Sequence, residues 1–383
     1  MALLKRTSDF LASYKLSCFL FLLLLLLTYL GTMNQVENGL YQSQLKYFES
    51  IFLVHWAFGV IPIPLPGGYL VMSLTFVNLF WGAVVRLRRS WRKVGILVAH
   101  LGILLLLGGA FVSYACSESG HMVLYENETS DQFEASYEWE IGIGEAVNAA
   151  SVTEYIIRQA DFDRLSGNRS RTFKFSGLPF DLKLGGYMPN AAPDMGKGQG
   201  LHAAGRLVEV PLSREQEENM AGATVTLVEK KSGASHEAEL WAGNSAPVTL
   251  DADGKRWNLS LRKHRWKLPF AIRLDKFDRE LHPRTNMAAK YSSFVTKIED
   301  GAEQKVRITM NEPLRHLGYT FYQSSWGPQK GGADARLYSV LAVVKNPADQ
   351  VPLYACLVTT GGLILHFLQR LLAYLRKEKA TKS

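Results

Sequence analysis

Four apolar stretches divide the chain, and each is close to the length of a membrane-spanning helix. They cover residues 16–33, 69–85, 94–114 and 351–374. About twenty apolar residues that rise ~1.5 Å each span the ~30 Å hydrocarbon layer as a helix. The pattern therefore predicts four transmembrane α-helices. The first run is long for a signal peptide and no A-x-A-like cleavage site follows it, so we interpret it as a retained span.

The loop between the first two spans carries a different apolar pattern. In residues 44–58 the apolar side chains recur at helical spacing, which indicates a helix lying in the outer membrane interface. The PIPLPGG segment that follows breaks regular structure, since proline lacks an N–H and fixes φ. In the second span, Asn78 is placed to bond to another helix. The predicted N-terminal membrane region covers residues 1–115.

Residues 116–350 are more polar and have the pattern of a β-sheet protein. Period-two or β-rich runs occur at 223–230, 256–263, 270–277, 291–298, 305–310, 319–325 and 336–344. Asp253-Gly254 and Asp300-Gly301 lie between such runs and are typical of hairpin turns. The predicted fold class is a membrane protein with four transmembrane α-helices and a large extracytoplasmic all-β domain inserted between helices 3 and 4. Residues 351–383 form the last helix and a basic tail.

The distribution of positive charge orients this arrangement. The formal net charge is +8, which in a soluble protein would suggest a nucleic-acid partner. Here Lys and Arg cluster at the N-terminus, in residues 86–93 and at the C-terminus, whereas residues 34–68 are poor in them. The positive-inside rule then places both termini in the cytoplasm and the large domain outside. The expected partner is the lipid bilayer, and no nucleic acid is expected.

Familiar catalytic motifs are missing from the sequence. It has no P-loop, no HExxH and no GxSxG. The nine histidines do not fall at metal-site spacing, and the three cysteines form no CxxC. Cys116 and Cys356 either pair as a disulfide or are two unrelated small apolar residues. No catalytic residue is assigned.

Three histidines lie in or beside the predicted spans. His100 stands roughly 10 Å inside the third span from Lys93, and an ionisable group at such depth usually marks a site. It is either a neutral ring bonded to a neighbouring helix or a ligand of haem iron. His366 lies at similar depth in the fourth span. It either binds the same haem as His100 or extends to headgroups beside Arg370. His55 is either a further ligand or bonded to water and headgroups.

Together these features resemble the ResB family of cytochrome c biogenesis proteins, also called CcsB, of the system II pathway. One feature is the layout of three spans, a large β-domain and a last span. Another is the membrane segment NLFWGAVVRLRRSWRKVGILVAHLGILLLLGGAFV. The most specific is MNEPLRHLGYTFYQSSWG at 310–327, where the family has a strand, an acidic-Pro turn and Gly-Tyr-x-Phe-Tyr-Gln-Ser-Ser/Ala.

The resemblance implies a haem-handling membrane subunit of a cytochrome c synthase in the bacterial inner membrane, with its large domain in the periplasm. Such a subunit works with a CcsA-type membrane haem protein to carry haem b outward, and it presents apocytochrome c for thioether attachment at CxxCH. A transmembrane histidine binds haem in this family, and His100 fits that place best. The tryptophan-rich haem loop belongs to the partner, so whether this subunit of a haem-lyase-type complex catalyses stays open.

Two alternative functions are compatible with the same sequence. One is a non-haem membrane scaffold or chaperone that only presents apocytochrome c. The other is an envelope receptor or transporter subunit whose β-domain binds a ligand. The basic segment 86–93 can likewise be interpreted in two ways, since its arginines either meet haem propionates or only fix the topology.

Overall fold

The computed structural model describes residues 2–85, 90–146, 153–194, 206–281, 288–328 and 336–382. The chain divides into two compact units. The helical unit comprises Met1–Ser117 and Asn346–Ser383, and the β unit comprises Glu118–Lys345. In chain order, the β unit is therefore an insertion between two parts of the helical unit.

Five α-helices form most of the described helical unit. They are α1 (Ala2–Leu11), α2 (Tyr14–Ser43), α3 (Gly68–Phe80), α4 (Val94–Cys116) and α5 (Val351–Lys382). Short π-helical turns follow α2 at Gln44–Phe48 and α3 at Trp81–Val85. Among the described residues, three segments are long and apolar enough to cross a membrane, namely Tyr14–Phe48, Val94–Cys116 and Val351–Glu378. These segments support the prediction of a membrane protein.

The second predicted span is shorter than the other three. Its apolar helical part runs from Gly68 to Ala83, which is roughly 24 Å of helix against a hydrocarbon layer of about 30 Å. The count of four membrane-crossing helices therefore stays a prediction. Asn78 in this segment is 7% exposed, and it bonds to the start of the chain as predicted. Its Nδ2 donates to the Leu11 carbonyl at 2.6 Å, and its Oδ1 accepts from Ser17 Oγ at 2.7 Å.

The helix predicted over residues 44–58 is wrong beyond the π-helical turn Gln44–Phe48. The chain instead forms an antiparallel hairpin of β1 (Phe52–Ala57) and β2 (Ile61–Pro66). Pro62, Pro64 and Pro66 alternate along β2, where their missing N–H groups suit an edge strand and exclude a helix. The helical spacing of β1 was misleading because its hydrogen-bond partner comes from the proline-rich segment that follows it.

The other strands of the described chain belong to the β unit. They are β3 (Glu118–Tyr125), β4 (Thr129–Glu145), β5 (Glu154–Arg158), β6 (Ser170–Lys174), β7 (Phe180–Met188), β8 (Ala191–Pro193), β9 (Leu207–Glu209), β10 (Gly222–Glu229), β11 (Ser235–Trp241), β12 (Val248–Ala252), β13 (Lys255–Leu281), β14 (Ala288–Glu299), β15 (Ala302–Thr309), β16 (Leu314–His316), β17 (Tyr319–Gly327) and β18 (Tyr338–Lys345). The predicted large β-rich domain is therefore confirmed.

Three sheets account for the described strands of the β unit. The largest has ten strands in the order β15-β14-β13-β4-β3-β18-β17-β16, with β12 beside β13 and β5 beside β4. A second sheet has the order β11-β10-β7-β6, and β8 pairs with β9. Both predicted hairpin turns are present: Asp253-Gly254 joins β12 to β13, and Asp300-Gly301 joins β14 to β15. Their φ angles of 48–80° are those of a type I′ turn.

The long strand β13 serves two hydrophobic cores. Trp257, Leu259 and Leu261 are buried in the first core, and the even-numbered Leu268–Leu274 side chains are buried in the second. Side chains alternate between the two faces of a strand, so the odd-numbered and even-numbered sets face opposite sides of β13, each toward its own core. The pairing with β4 shifts register between Lys263 and Arg265, and the extra residues at this shift lie on β4 between Glu134 and Trp139.

A buried charge network occupies this register shift. Glu140 has no exposed surface and His264 is 4% exposed. The Glu140 carboxylate accepts hydrogen bonds from His264 Nδ1 at 2.6 Å and from Arg262 Nε at 2.9 Å. Arg262 also donates to Glu154 at 2.6 Å. Both Glu140 oxygens are therefore hydrogen-bonded, whereas His264 Nε2 is buried without a hydrogen bond among the described residues.

The segment MNEPLRHLGYTFYQSSWG builds part of the second core. Tyr319, Phe321 and Gln323 alternate inward on β17 and are all buried. The Gln323 side chain accepts from Ser293 Oγ, and its Nε2 donates to Ser339 Oγ at 3.1 Å. The aromatic residues and the glutamine of this segment are therefore parts of the domain interior.

We expect Gln323→Leu to destabilise the protein by about 2 kcal/mol, because it leaves the two buried hydroxyls of Ser293 and Ser339 with fewer partners. Gln304→Leu, at an exposed position on β15, should change stability by no more than about 0.5 kcal/mol. Denaturant unfolding of the full chain in detergent measures both. Equal stabilities for the two variants would show that the buried network contributes nothing.

Candidate functional site

His100 lies on the second turn of α4, where its ring is partly buried. Its Nδ1 is 2.7 Å from the Ile96 carbonyl oxygen. A carbonyl oxygen only accepts, so Nδ1 carries the proton and donates this bond. The neutral ring then has its lone pair on Nε2, which is the form in which imidazole binds a metal. The ring thus bonds to its own helix, and Nε2 has no hydrogen bond to any residue that the structure describes.

Residues farther along α4 share the face on which His100 lies. Leu107, Phe111 and Tyr114 follow it by seven, eleven and fourteen residues, and at 3.6 residues per turn these positions fall on one stripe. All three line one cavity. The distance from His100 to Leu107 along the helix axis is ~10 Å. His100 and the cavity therefore lie on the same face of α4, about two helical turns apart.

The cavity has a volume of about 700 Å³ and mainly apolar walls. Its walls come from α2 and the turn after it, from α3 and from α4, among them Leu40, Phe48, Met72, Phe76, Leu107 and Phe111. Volumes of this size are typical of sites that bury most of a small-molecule ligand. The cavity is therefore large enough and apolar enough for a flat hydrophobic ligand.

Polar groups gather in one part of this cavity. Gln44 Nε2 donates to Glu49 Oε1 at 2.8 Å. The Tyr69 ring meets Tyr114 edge-on at a centroid distance of 5.2 Å. The buried Tyr69 hydroxyl lies near Glu49 and Tyr114 but reaches hydrogen-bond geometry with neither. A ligand with both an apolar body and a hydrogen-bonding group would satisfy this hydroxyl.

Glycines bring α4 and α5 into close contact. A Cβ on Gly95 would lie 2.4 Å from the His366 nitrogen, and a Cβ on Gly362 would lie 2.4 Å from the Ala99 nitrogen. Gly102 meets Thr359 and Ala355 in the same way. The helices run antiparallel, and small residues let their backbones approach as they do in membrane helix pairs. This contact fixes how the fourth predicted span sits against the third.

The same contact sets the position of His366. Its backbone packs at the level of Gly95, so His100 lies five residues, or ~7.5 Å, farther along α4. The His366 Nδ1 is buried and has no hydrogen bond in the described part of the chain, and its ring lies 5.7 Å from that of Phe367. No ring contact or hydrogen bond joins His100 to His366 among these residues. Shared ligation by the two histidines stays a prediction.

His55 lies on β1 of the hairpin and not on the predicted interfacial helix. Its Nδ1 is 2.8 Å from the hydroxyl of Tyr47, a residue with no exposed surface. The ring therefore has a protein partner in place of the water or headgroup considered from the sequence. His55 is not among the residues that line the cavity, and its role as a second ligand stays a prediction.

The basic segment before α4 is described only in part. Arg86, Arg88 and Arg89 lie outside the described residues, and so does the Arg92 side chain. Lys93 is exposed. Cys18, Cys116 and Cys356 are free thiols, so the disulfide alternative for the last two is not formed in this structure. Among the described residues, no group of three or more His, Cys, Asp or Glu side chains is arranged to hold a metal ion.

Part of this site could not be predicted from the sequence. The spacing of Leu107, Phe111 and Tyr114 from His100 was visible as a helical stripe, but no property of the sequence places Glu49 and Tyr69 against it. Glu49 precedes the β-hairpin and Tyr69 follows it, and they meet because that hairpin brings the end of α2 back to the start of α3. The His264–Glu140 pair was also missed, since its residues are far apart in the sequence.

A comparison with known protein families matches part of the β unit. Residues 226–337 match the model of the ResB-like family, a range that runs from β10 to the residue before β18 and includes MNEPLRHLGYTFYQSSWG. No curated protein matches the chain. The matched range lies within the β unit and includes none of the three candidate histidines. The resemblance predicted from the sequence is confirmed: these residues match the ResB-like family, and the match indicates involvement in cytochrome c biogenesis.

Proposed function

We propose that the chain is the haem-handling membrane subunit of a system II cytochrome c synthase. In this proposal it carries haem b across the bacterial inner membrane together with a CcsA-type partner, and it presents apocytochrome c on the periplasmic side. The ResB-like match supports a role in cytochrome c biogenesis. The observation that carries the haem assignment is the free Nε2 of His100 on the face of α4 that leads to the apolar cavity.

The chemistry of haem fits these residues as a transported cargo. Neutral imidazole is a standard axial ligand of haem iron, and His100 is held in the required tautomer by its bond to Ile96. The apolar walls of the cavity suit the porphyrin faces, while Gln35, Ser73 and Tyr69 offer hydrogen-bond donors to propionates. In this proposal haem would bind first at His100 and then in the cavity.

The direction of transport follows from the proposed topology. The positive-inside rule places the start of α4 at the cytoplasmic face, so His100 lies toward the inside and the cavity toward the outside. Haem that moves along the stripe from His100 to Tyr114 would travel ~20 Å without leaving an apolar surface. The chain's own residues would hold the ring, exclude water from it and release it to the partner.

The direct test of this function is the haem content of the complex. The chain is co-expressed with a CcsA-type partner, purified in detergent and assayed for haem per protein. The proposal predicts a Soret band and close to one haem for each complex. The scaffold alternative predicts no haem in any preparation but retained binding of a CxxCH peptide, whereas the receptor or transporter alternative predicts neither.

The cavity can be tested separately from His100. Gly108 lines it, and a Cβ at this position meets nothing within 4 Å. We expect Gly108→Phe to fill the cavity and to lower the haem content roughly fivefold or more, with the unfolding temperature kept. Gly361→Phe is the control, since its Cβ position is equally open and lies outside the cavity. Full haem content in Gly108→Phe would rule the cavity out as a haem position.

A further inference from the structure

One edge of β13 is left open along its middle. On one side of this strand, β4 pairs with residues from Trp257 to Lys267. On the other side, β12 pairs only with Lys255 to Leu259, and β14 begins to pair at Ala271. Within the described chain, no strand pairs with residues 260–270 on that second side. The middle of β13 is therefore an edge inside a sheet that is continued at both ends.

The hairpin turn determines which backbone groups face the open side. In a two-residue type I′ hairpin, the residues that flank the turn, here Ala252 and Lys255, exchange both of their hydrogen bonds. Every second residue of β13 then directs its N–H and C=O groups to the side of β12. Leu261 and Lys263 continue this series beyond the last β12 partner and before the register shift. Their backbone groups are the ones that a further strand would bond.

A cavity of about 510 Å³ lies beside this open edge. Residues Leu259–Arg262 form one side of it, and the connection between β11 and β12 contributes Asn244–Pro247 on the other. The side chains of this connection are exposed, whereas the Leu261 side chain is buried in the first core. The strand that forms one wall is anchored by its core side chains, and its backbone edge faces open space.

Charged side chains often protect an open edge from pairing with other chains, but here they are held away from it. The guanidinium of Arg262 is engaged by Glu140 and Glu154. Lys263 Nζ donates to the Ser136 carbonyl at 3.0 Å and lies 3.8 Å from the centre of the Trp139 ring. Burial of this amine lowers the pKa of Lys263 to about 8. Both cations are directed toward β4 and its neighbours, and Arg265, which lines the cavity, lies 3.6 Å from Glu134 of β4.

We propose that the edge of β13 from Ser260 to Arg265 binds an extended polypeptide segment as an added strand in line with β12. Backbone hydrogen bonds supply the affinity in this mode of recognition. The cavity wall is mainly polar, so the site recognises an extended backbone and not a particular side-chain sequence. The identification of that polypeptide as unfolded apocytochrome c rests on the proposed function, whereas strand addition itself does not.

The test uses the full chain with its partner in detergent and a twelve-residue peptide that contains CxxCH. A photo-crosslinking amino acid at Ser245, beside the edge, should capture this peptide, and the same group at the exposed Ser232 in another turn should not. Two peptide analogues carry N-methyl groups at alternate positions, one on odd and one on even residues. A strand that pairs through one side loses binding roughly tenfold in one analogue and keeps it in the other.

A pair of variants tests the edge from the side of the protein. Lys263→Pro removes one outward N–H, and we expect it to weaken peptide binding about fivefold or more. Lys263→Met keeps the backbone and should keep the affinity. The N-methyl analogues keep the proposal testable if the proline variant does not fold. Equal binding of both analogues, equal capture at Ser232, or capture of a second copy of the chain at Ser245 would overturn the proposal.

The outcomes for the edge and for the proposed function are separable. If no peptide docks at the edge while the complex holds haem through His100, the strand-addition proposal fails and the proposed function stands. If the peptide docks at the edge but no preparation holds haem, the docking site stands and the haem assignment fails.

Discussion

His100→Ala is expected to lower the haem content of the purified complex roughly tenfold or more. The reason is that the substitution removes the imidazole whose Nε2 is free to bind iron, while α4 keeps its packing. The ring contributes one hydrogen bond to its own helix, so the fold should lose little stability. The measurement is the Soret absorbance per protein, together with the unfolding temperature of the same preparation.

Leu101→Ala is the matched control for this variant. Leu101 is the next residue on α4, it is 43% exposed, and it does not line the cavity. We expect its haem content to equal that of the unmodified chain. His366→Ala and His55→Ala report on the two weaker candidates, and a loss confined to one of them would transfer the ligand role to that residue. Unchanged haem in His100→Ala would remove His100 from the site.

Gly362→Leu is expected to have the largest effect on stability. A Cβ at this position would lie 2.4 Å from the Ala99 nitrogen and 2.8 Å from the Gly95 carbonyl oxygen, both of which belong to the backbone of α4. A backbone cannot move aside as a flexible side chain can, so the two helices must separate. We expect a loss of about 3 kcal/mol, measured by unfolding in detergent, and a parallel loss of haem, since α4 carries His100.

The neighbouring glycine supplies the control for this second prediction. A Cβ at Gly361 meets nothing within 4 Å, so Gly361→Leu places the same side chain one residue away without a clash. Its stability should stay within about 0.5 kcal/mol of the unmodified chain. If both leucine variants unfolded alike, the loss would come from the added leucine itself and not from the contact between α4 and α5.

The elements that the sequence predicts well are those with a strong local signal. The helices over 94–114 and 351–374 follow from long apolar runs, and the turns at Asp253-Gly254 and Asp300-Gly301 follow from residues that adopt positive φ. The hairpin Phe52–Pro66 was missed because a short apolar segment has no decisive period and its partner strand is rich in proline. Pairing with the segment that follows β1 decided its structure.

In the β unit, the continuity of β13 past the register shift was also not predictable from the local sequence pattern. The residues 256–263 and 270–277 were predicted as two β-rich runs. In the structure they form one strand that passes from one core to another. Local alternation cannot distinguish a turn from a bulge, because both interrupt the period of two.

The candidate site was also predicted only in part from the sequence. His100 could be singled out because it is the only ionisable residue in its apolar run. Its bond to Ile96 is a local helical contact, four residues back, which the sequence allows but does not impose. The cavity beside its helical face required the packing of three helices, and so did the position of Tyr69. Residue type thus indicated the candidate ligand, and tertiary structure supplied the cavity on the same face of α4.

The most direct test of iron binding by His100 is an imidazole titration of His100→Gly in the purified complex, followed by the Soret absorbance. The glycine leaves space for free imidazole in the position of the lost ring. If His100 is the axial ligand, the variant starts with little haem absorbance, and added imidazole restores the band of the unmodified complex. A full Soret band before any imidazole is added, or a depleted band that imidazole leaves unchanged, would contradict the account.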